Sequence, residues 1–397
     1  MSKDDPTSTL PISSVTKKAA RPPAHPELVE GSEDTSGQTK KAKNMSAEFS
    51  GRICIFHAID IGDDVDLELI KQKNLLKRRP ATPAPYFKNY HRPLTAELPE
   101  PHMTPYCDIV RIHHFGAISL QYKIPFTSTL EQLRGNIERI DNEYQEKAIA
   151  DAATVYKQIE SAVKQPLFFH LNKSYILIQV DTKNDITGKQ IQEMFGGTIA
   201  SLLRFEVETL SEYKKNEILE SAFGYYRGDL IVIDTEAAFL YDDEYEEVLE
   251  LFEFVNVQHL ELQYFDRVLD KQLTQAYSQG RRDQAWYHSF MNWRGGAVNP
   301  LEHLDMLKVE ISVITERMEN SIKLVGEPYY SELYTALSEA LDLNNWKESI
   351  NKKLNIIHDL TDVYENRAQT MRDNTFSILI IILIFLELIV GIGQLFR

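Results

Sequence analysis

DLIVIDTEAAFLYDDEYEEVLELFEF, residues Asp229–Phe254, is where the character of the chain changes. DLIVID and AAFLYD (Asp229–Asp242) read as two short strands, β-branched and aromatic runs bounded by turn-forming acids. After Asp242 the strands stop. An acidic run (Asp242, Asp243, Glu244, Glu246, Glu247, Glu250) opens a helix predicted over Tyr245–Tyr277. Carboxylates in a first turn complement the positive end of the helix dipole, so a solvated helix start is expected.

Upstream of this switch, strands and helices alternate. RICIFHAID (Arg52–Asp60) has the apolar content of a buried strand. The following DIGDDVD run lacks the glycine at six and the glutamate at twelve of a calcium loop, so it reads as an acidic turn into a helix at Leu67–Leu76. Residues 80–105 carry seven prolines and predict an irregular connection. Cys107–Ile124 reads as two strands broken at Gly116, and Ser128 with Glu131 forms a capping box for a helix reaching about Val163. LFFHL and SYILIQV, joined at Asn172–Lys173, predict a hairpin; a helical region from Thr187 to about Phe223 is expected to break at Gly196–Gly197.

Downstream, helices predominate. Pro300–Val325 is predicted helical, Gly326–Pro328 breaks it, and another helix begins at Tyr329. Leu343, Ile350, Ile357, Tyr364 and Met371 recur every seven residues, with Lys353 and Arg367 interrupting the alternate seam. Self-association and packing within the chain's own bundle account for that stripe equally well.

The chain ends in FSILIIILIFLELIVGIGQLF (Phe376–Phe396). Twenty-one helical residues span about 31 Å, the thickness of a bilayer's hydrocarbon core. Sixteen of them are Ile, Leu, Val or Phe, contributing roughly −5 to −10 kcal/mol to insertion. Glu387 opposes by about 3 kcal/mol. Insertion wins. Glu387, Gly391 and Gln394 share one helix face, the pattern of a contact with another helix; an ion or proton path and simple tolerance of Glu387 are the other readings.

The fold class expected is therefore an α+β (or α/β) N-terminal domain, then an α-helical, coiled-coil-like region and one C-terminal transmembrane helix. Its divisions are a disordered tail (1–50), a mixed α/β domain (51–242), a helical domain (243–342) with an aromatic loop (279–300), a coiled-coil-like helix (343–375) and the span (376–396). No export signal precedes the body, so it is expected to stay on the side of its synthesis, facing the cytoplasm of a bacterial inner membrane ahead of a mitochondrial one.

Composition excludes more than it assigns. Acidic residues outnumber basic ones 59 to 43, a net charge of −16, which suits a general nucleic-acid binder poorly. Two cysteines, Cys54 and Cys107, exclude a disulfide scaffold and a four-thiolate zinc site. No phosphate-binding glycine loop, HExxH or GxSxG occurs, and adjacent His113 and His114 point to opposite sides of a strand. No catalytic, cofactor-binding or metal-ligating residue is nominated. The loop at 280–296 carries Arg281, Arg282 and Arg294 among Trp286, Tyr287, Phe290 and Trp293. Guanidinium groups beside aromatic rings make it the candidate partner-binding loop, for a protein ahead of RNA.

The order of parts resembles the "required for meiotic nuclear division" family of bacterial, fungal and mitochondrial membrane proteins. The resemblance is carried by Pro328, Tyr329, Tyr334, Asn351, Leu354 and Ile357, and by the final Ile-rich span containing Glu387. FVNVQHLELQYFD (Phe254–Asp266) and the aromatic loop depart from the family's pattern. The resemblance implies a non-enzymatic, membrane-tethered scaffold or adaptor, homo-oligomerising through its C-terminal helices and touching lipid. The competing readings are a CorA-like metal-ion transport component, which wants a second span and a Gly-Met-Asn turn, and an unrecognised enzyme in the α/β domain.

Overall fold

β1 (Phe49–Asp60) is the middle strand of a seven-stranded sheet in the computed structural model. The structure describes residues 47–62, 64–80, 92–102, 104–168, 171–183, 186–226, 228–280, 309 and 328–395. Residues 1–46 of the tail, the aromatic loop from Arg281 onward and, Val309 apart, the helix expected at Pro300–Val325 lie outside these residues.

On one side β1 pairs with β5 (Ala117–Ser128), on the other with β7 (Asn172–Val180). β4 (Cys107–His113) and β3 (Leu94–Ala96) continue beyond β5; β9 (Ala237–Tyr241) and β8 (Leu230–Ile233) continue beyond β7. Pairing is antiparallel except between β7 and β9. Two residues each from β2 (Asp64–Val65) and β6 (Val163–Lys164) form a separate ladder.

Alternation along each strand gives the sheet two faces. Ile53, Ile55, Leu120, Ile178 and Phe239 point to the front, where α1 (Leu67–Lys73), α2 (Leu130–Arg134), α3 (Ile137–Ile159), α4 (Gly188–Leu203) and α5 (Glu212–Leu219) surround one apolar core. Cys54, Phe56, Leu177 and Leu240 point to the back, against α6 (Glu246–Gly280). α7 (Pro328–Ala340) and α8 (Leu343–Leu395) close over α6 with Leu333, Leu337, Leu343, Ile350 and Ile357.

Local chemistry corrects several boundaries. Ser128 ends β5, and the cap is Thr129, whose hydroxyl accepts from the Gln132 N–H at 3.2 Å. The helix it starts stops at Gly135, and α3 is a separate helix. No hairpin forms at Asn172–Lys173: that dipeptide begins β7, which pairs with β1 and β9. α4 passes unbroken through Gly196–Gly197. A Cβ on Gly196 would stand 2.8 Å from Leu219, so the glycine admits α5 at close range instead of ending the helix.

The larger correction concerns α6. Its residues Leu251–Leu262 are all buried, twelve in succession, including Glu253, Asn256, Gln258, His259 and Glu261. A helix buried all round is expected only between two layers, and here the sheet lies on one side and α7 with α8 on the other. The acidic start is solvent-exposed at Asp243, Glu244, Glu246 and Glu247, as expected, and three of these carboxylates also have partners. Glu246 accepts from Lys123 at 2.8 Å, Glu247 accepts from the Tyr330 hydroxyl, and Asp243 accepts from the Thr182 N–H at 2.8 Å.

The chain is thus a mixed α/β protein with a sheet-rich first part, helices after it, and one apolar C-terminal helix. Within α8, Leu343, Ile350 and Ile357 pack on the chain's own helices, so this part of the heptad stripe is used within the chain. Phe376–Gly393 has a mean hydropathy of 2.9 and no part of it is buried, making α8 long and apolar enough to cross a membrane.

Candidate functional site

A cleft of about 750 Å³ opens at the β3–β4 edge of the back face. Its floor is set by sheet register. Thr95 of β3 lies opposite Arg111 of β4, which lies opposite Ser119 of β5. Val110 and Ile112 face the front core, so alternation turns Arg111 and His113 toward α6. One wall is α6, with Glu250, Glu253 and Phe254; the rim is Lys71 of α1, the segment Asn74–Pro80, and Arg92–Pro93.

Arg111 is 8% exposed, so its charge needs partners. Its guanidinium donates to Glu253, reaches Gln121 at 3.4 Å and lies 3.7 Å from Glu250. A second ionic chain runs along the same edge. Arg79 donates to the Asp108 backbone carbonyl at 2.6 Å and to its carboxylate at 3.0 Å, and Lys123 bridges Asp108 and Glu246. Together these tie the edge strands to the first turns of α6.

Burial controls protonation here. It pushes the Glu253 carboxyl above its usual range, against the pull of Arg111. It lowers His113 to about 3, helped by the neighbouring Arg111 charge, so the ring is neutral at physiological pH. His259, further along α6, is lowered to about 3 by burial and by Lys173. Burial raises both cysteine thiols to about 12. A protonated thiol is a poor nucleophile, so neither Cys54 nor Cys107 is set up for covalent chemistry at neutral pH. Among the described residues no group of three or more His, Cys, Asp or Glu side chains is placed to hold a metal ion.

The residues singled out in the sequence lie elsewhere. Glu387 and Gly391 sit in the exposed apolar part of α8, and nothing approaches within 4 Å of a Cβ on Gly391. Gln394 is in the same helix, its side chain outside the described residues. Arg281, Arg282, Trp286, Tyr287, Trp293 and Arg294 also fall outside them. Sequence reading missed the cleft. Its signal was an arginine inside the otherwise apolar DIVRIH strand, together with two glutamates three apart on an apolar helix.

Residues 50–247 match the model of the family described as "Uncharacterized protein MJ0711, N-terminal domain". That stretch is similar to the MJ0711 N-terminal domain family. The uncharacterized protein MJ0711 of Methanocaldococcus jannaschii is 25% identical over 202 residues, covering 49% of this chain and 59% of the relative. No solved structure matches the chain. The expected kinship with the "required for meiotic nuclear division" family is overturned, because both matches point to the MJ0711 family. The order of domains and an Ile-rich tail are features that unrelated tethered proteins converge on, whereas this match runs through the sheet itself. It takes in Arg111 and His113 and ends at Glu247, before Glu250 and Glu253.

Proposed function

We propose that this protein is a non-enzymatic scaffold or adaptor held to a bilayer by one C-terminal span, its sheet-bearing body on the side where it is synthesised. One observation supports the reading best. α8 is a single helix whose start is packed in the body's core and whose end is a wholly exposed apolar segment. In water that segment would display apolar surface far beyond what a soluble monomer carries; in a bilayer the same residues are satisfied.

Within the span, Glu387, Gly391 and Gln394 are proposed as the face that meets a second span, the glycine admitting a neighbour and the polar groups bonding across. The heptad stripe continues in sequence at Tyr364 and Met371, which are offered to a second copy of α8. The aromatic loop from Arg281 to Arg294 is offered to a protein partner.

Deleting residues 376–397 tests the tether. The truncated chain is expected in the soluble fraction, folded by circular dichroism and monodisperse, while the full chain stays with membranes through high-salt and carbonate washes. A truncated chain that still pellets with lipid, or a full chain that washes off, would overturn the reading.

A further inference from the structure

At the β8 edge of the sheet, away from the cleft, two large rings stand in solvent: Tyr225 is 51% exposed and Tyr226 73%. They belong to the turn that leads into β8, and that turn is fastened at both ends. At its base Phe223 and Ile231 exchange backbone hydrogen bonds of 3.0 and 2.7 Å. At its tip the buried Asp229 carboxylate accepts from the Tyr225 N–H at 2.9 Å and from the Tyr226 N–H at 2.7 Å. Gly224 permits this closure, since a Cβ there would stand 2.7 Å from the Asp229 carbonyl oxygen. A backbone already fixed beneath exposed rings lowers the ordering cost of binding through them.

The rings form a ladder that runs inward. Tyr225 packs on Tyr226 with centroids 4.9 Å apart and on Tyr329 of α7 at 5.2 Å, and Tyr329 meets Tyr330 at 5.2 Å. Negative charge gathers beside it. Burial holds the Asp242 carboxyl above its usual range, and the charges of Asp229 and Glu244 add to that. Among the described residues, Asp229, Asp242, Asp243 and Glu244 have no cation within ion-pair distance. One arginine of the same turn, Arg227, lies outside those residues, and four carboxylates outweigh it. Ring faces beside uncompensated carboxylates suit a guanidinium, which stacks flat on the ring and directs its N–H groups in plane to the oxygens.

We infer that Tyr225 and Tyr226, with Asp242 and Glu244 beside them, dock an arginine-bearing segment of a partner protein, the guanidinium lying on the exposed rings and donating to the carboxylates. This deepens the adaptor reading, on which it rests for there being a partner, and gives that partner a chemistry. The membrane tether takes no part in it.

Fluorescence anisotropy tests it, with the full chain in maltoside detergent and a fluorescein-labelled peptide of repeating Gly-Arg-Ser as probe. The peptide is expected to bind at physiological salt, and its Gly-Lys-Ser counterpart to bind more weakly. Tyr225→Ala with Tyr226→Ala should weaken the arginine peptide by about tenfold. That variant keeps the parental charge, so its loss is not the general attraction of a −16 chain for cations. Tyr225→Phe with Tyr226→Phe should retain most of the binding, which separates the ring faces from any loss of fold. Asp242→Asn with Glu244→Gln should weaken binding and flatten its salt dependence. Glu138→Gln with Glu208→Gln, exposed elsewhere on the body, is the charge-matched control and should bind like the parent. No binding of the arginine peptide, parental affinity in the tyrosine-to-alanine variant, an equal loss in the control pair, or choline taken in preference to the peptide would overturn the assignment. None of these outcomes bears on whether the chain stays with membranes, so docking surface and tether fail separately.

Discussion

Ile178 and Leu177 are neighbours on β7, both fully buried, and they enter different surroundings. Ile178 joins the front core, where α1 to α5 cover an almost wholly apolar sheet face. Leu177 joins the back, where the same sheet also presents Arg111, His113, Ser119 and Gln121 to a helix carrying Glu253, Asn256 and Glu261. Apolar packing is forgiving of orientation, since any well-filled arrangement gains the same transfer energy. Desolvated charges are not forgiving, because each needs its partner at bonding distance. The front therefore holds the sheet together, while the back fixes where one particular helix lies on it.

Breaking the buried ion pair should give the largest effect. Arg111→Met strands Glu253 and is expected to cost about 3–5 kcal/mol in urea unfolding of the chain ending at residue 375. Arg111→Met combined with Glu253→Met should recover most of that loss. Equal losses in the single and double variants would mean that the pair does not act as a unit. Next come the two neighbours on β7. Leu177→Ala and Ile178→Ala should each cost about 2–5 kcal/mol by the same assay; a Leu177→Ala loss below about 1 kcal/mol would show that α6 rests loosely on the back.

The smallest effect belongs to a polar intruder on the front face. His57 lies 1% exposed beside Leu120, with neither ring nitrogen bonded, and burial lowers it to about 4. The folded state refuses a proton that the unfolded chain accepts near pH 6.5. Stability from this residue is thus intact above pH 6.5 and declines as pH falls toward 4, by about 1.4 kcal/mol per unit. His57→Leu should remove that slope, so its unfolding midpoint gains on the parent between pH 6.5 and 4. A constant difference across that window would show that His57 is protonated in the fold.

The front was largely legible because its signals are local. The apolar run of RICIFHAID, the break at Gly116 and the helix start at Thr187 all act within a few residues of chain. Errors there were of one residue, as at Thr129, misplaced a turn, as at Asn172–Lys173 and Gly135, or came from contacts made across space, as when Leu219 explains Gly196. The back was not legible. Glu250 and Glu253 look like a solvated face until a sheet supplies Arg111 from about 140 residues away. Twelve buried residues in a row cannot be recognised from period, since a helix enclosed on every side has no polar stripe to count. The span was legible for the opposite reason: its composition alone suffices.

One feature of α8 reaches beyond packing. Its last fully buried residue among the described side chains is Ile357, and the apolar segment starts at Phe376, nineteen helical positions on. An unbroken helix of that length is a mast about 28 Å tall, and it sets bearing as well as height. One residue more or less would change the elevation by only about 1.5 Å yet swing the cleft mouth about 100° around the mast. In the proposed tether, the spacing between Ile357 and Phe376 therefore decides how the body is turned relative to the face of the span that carries Glu387.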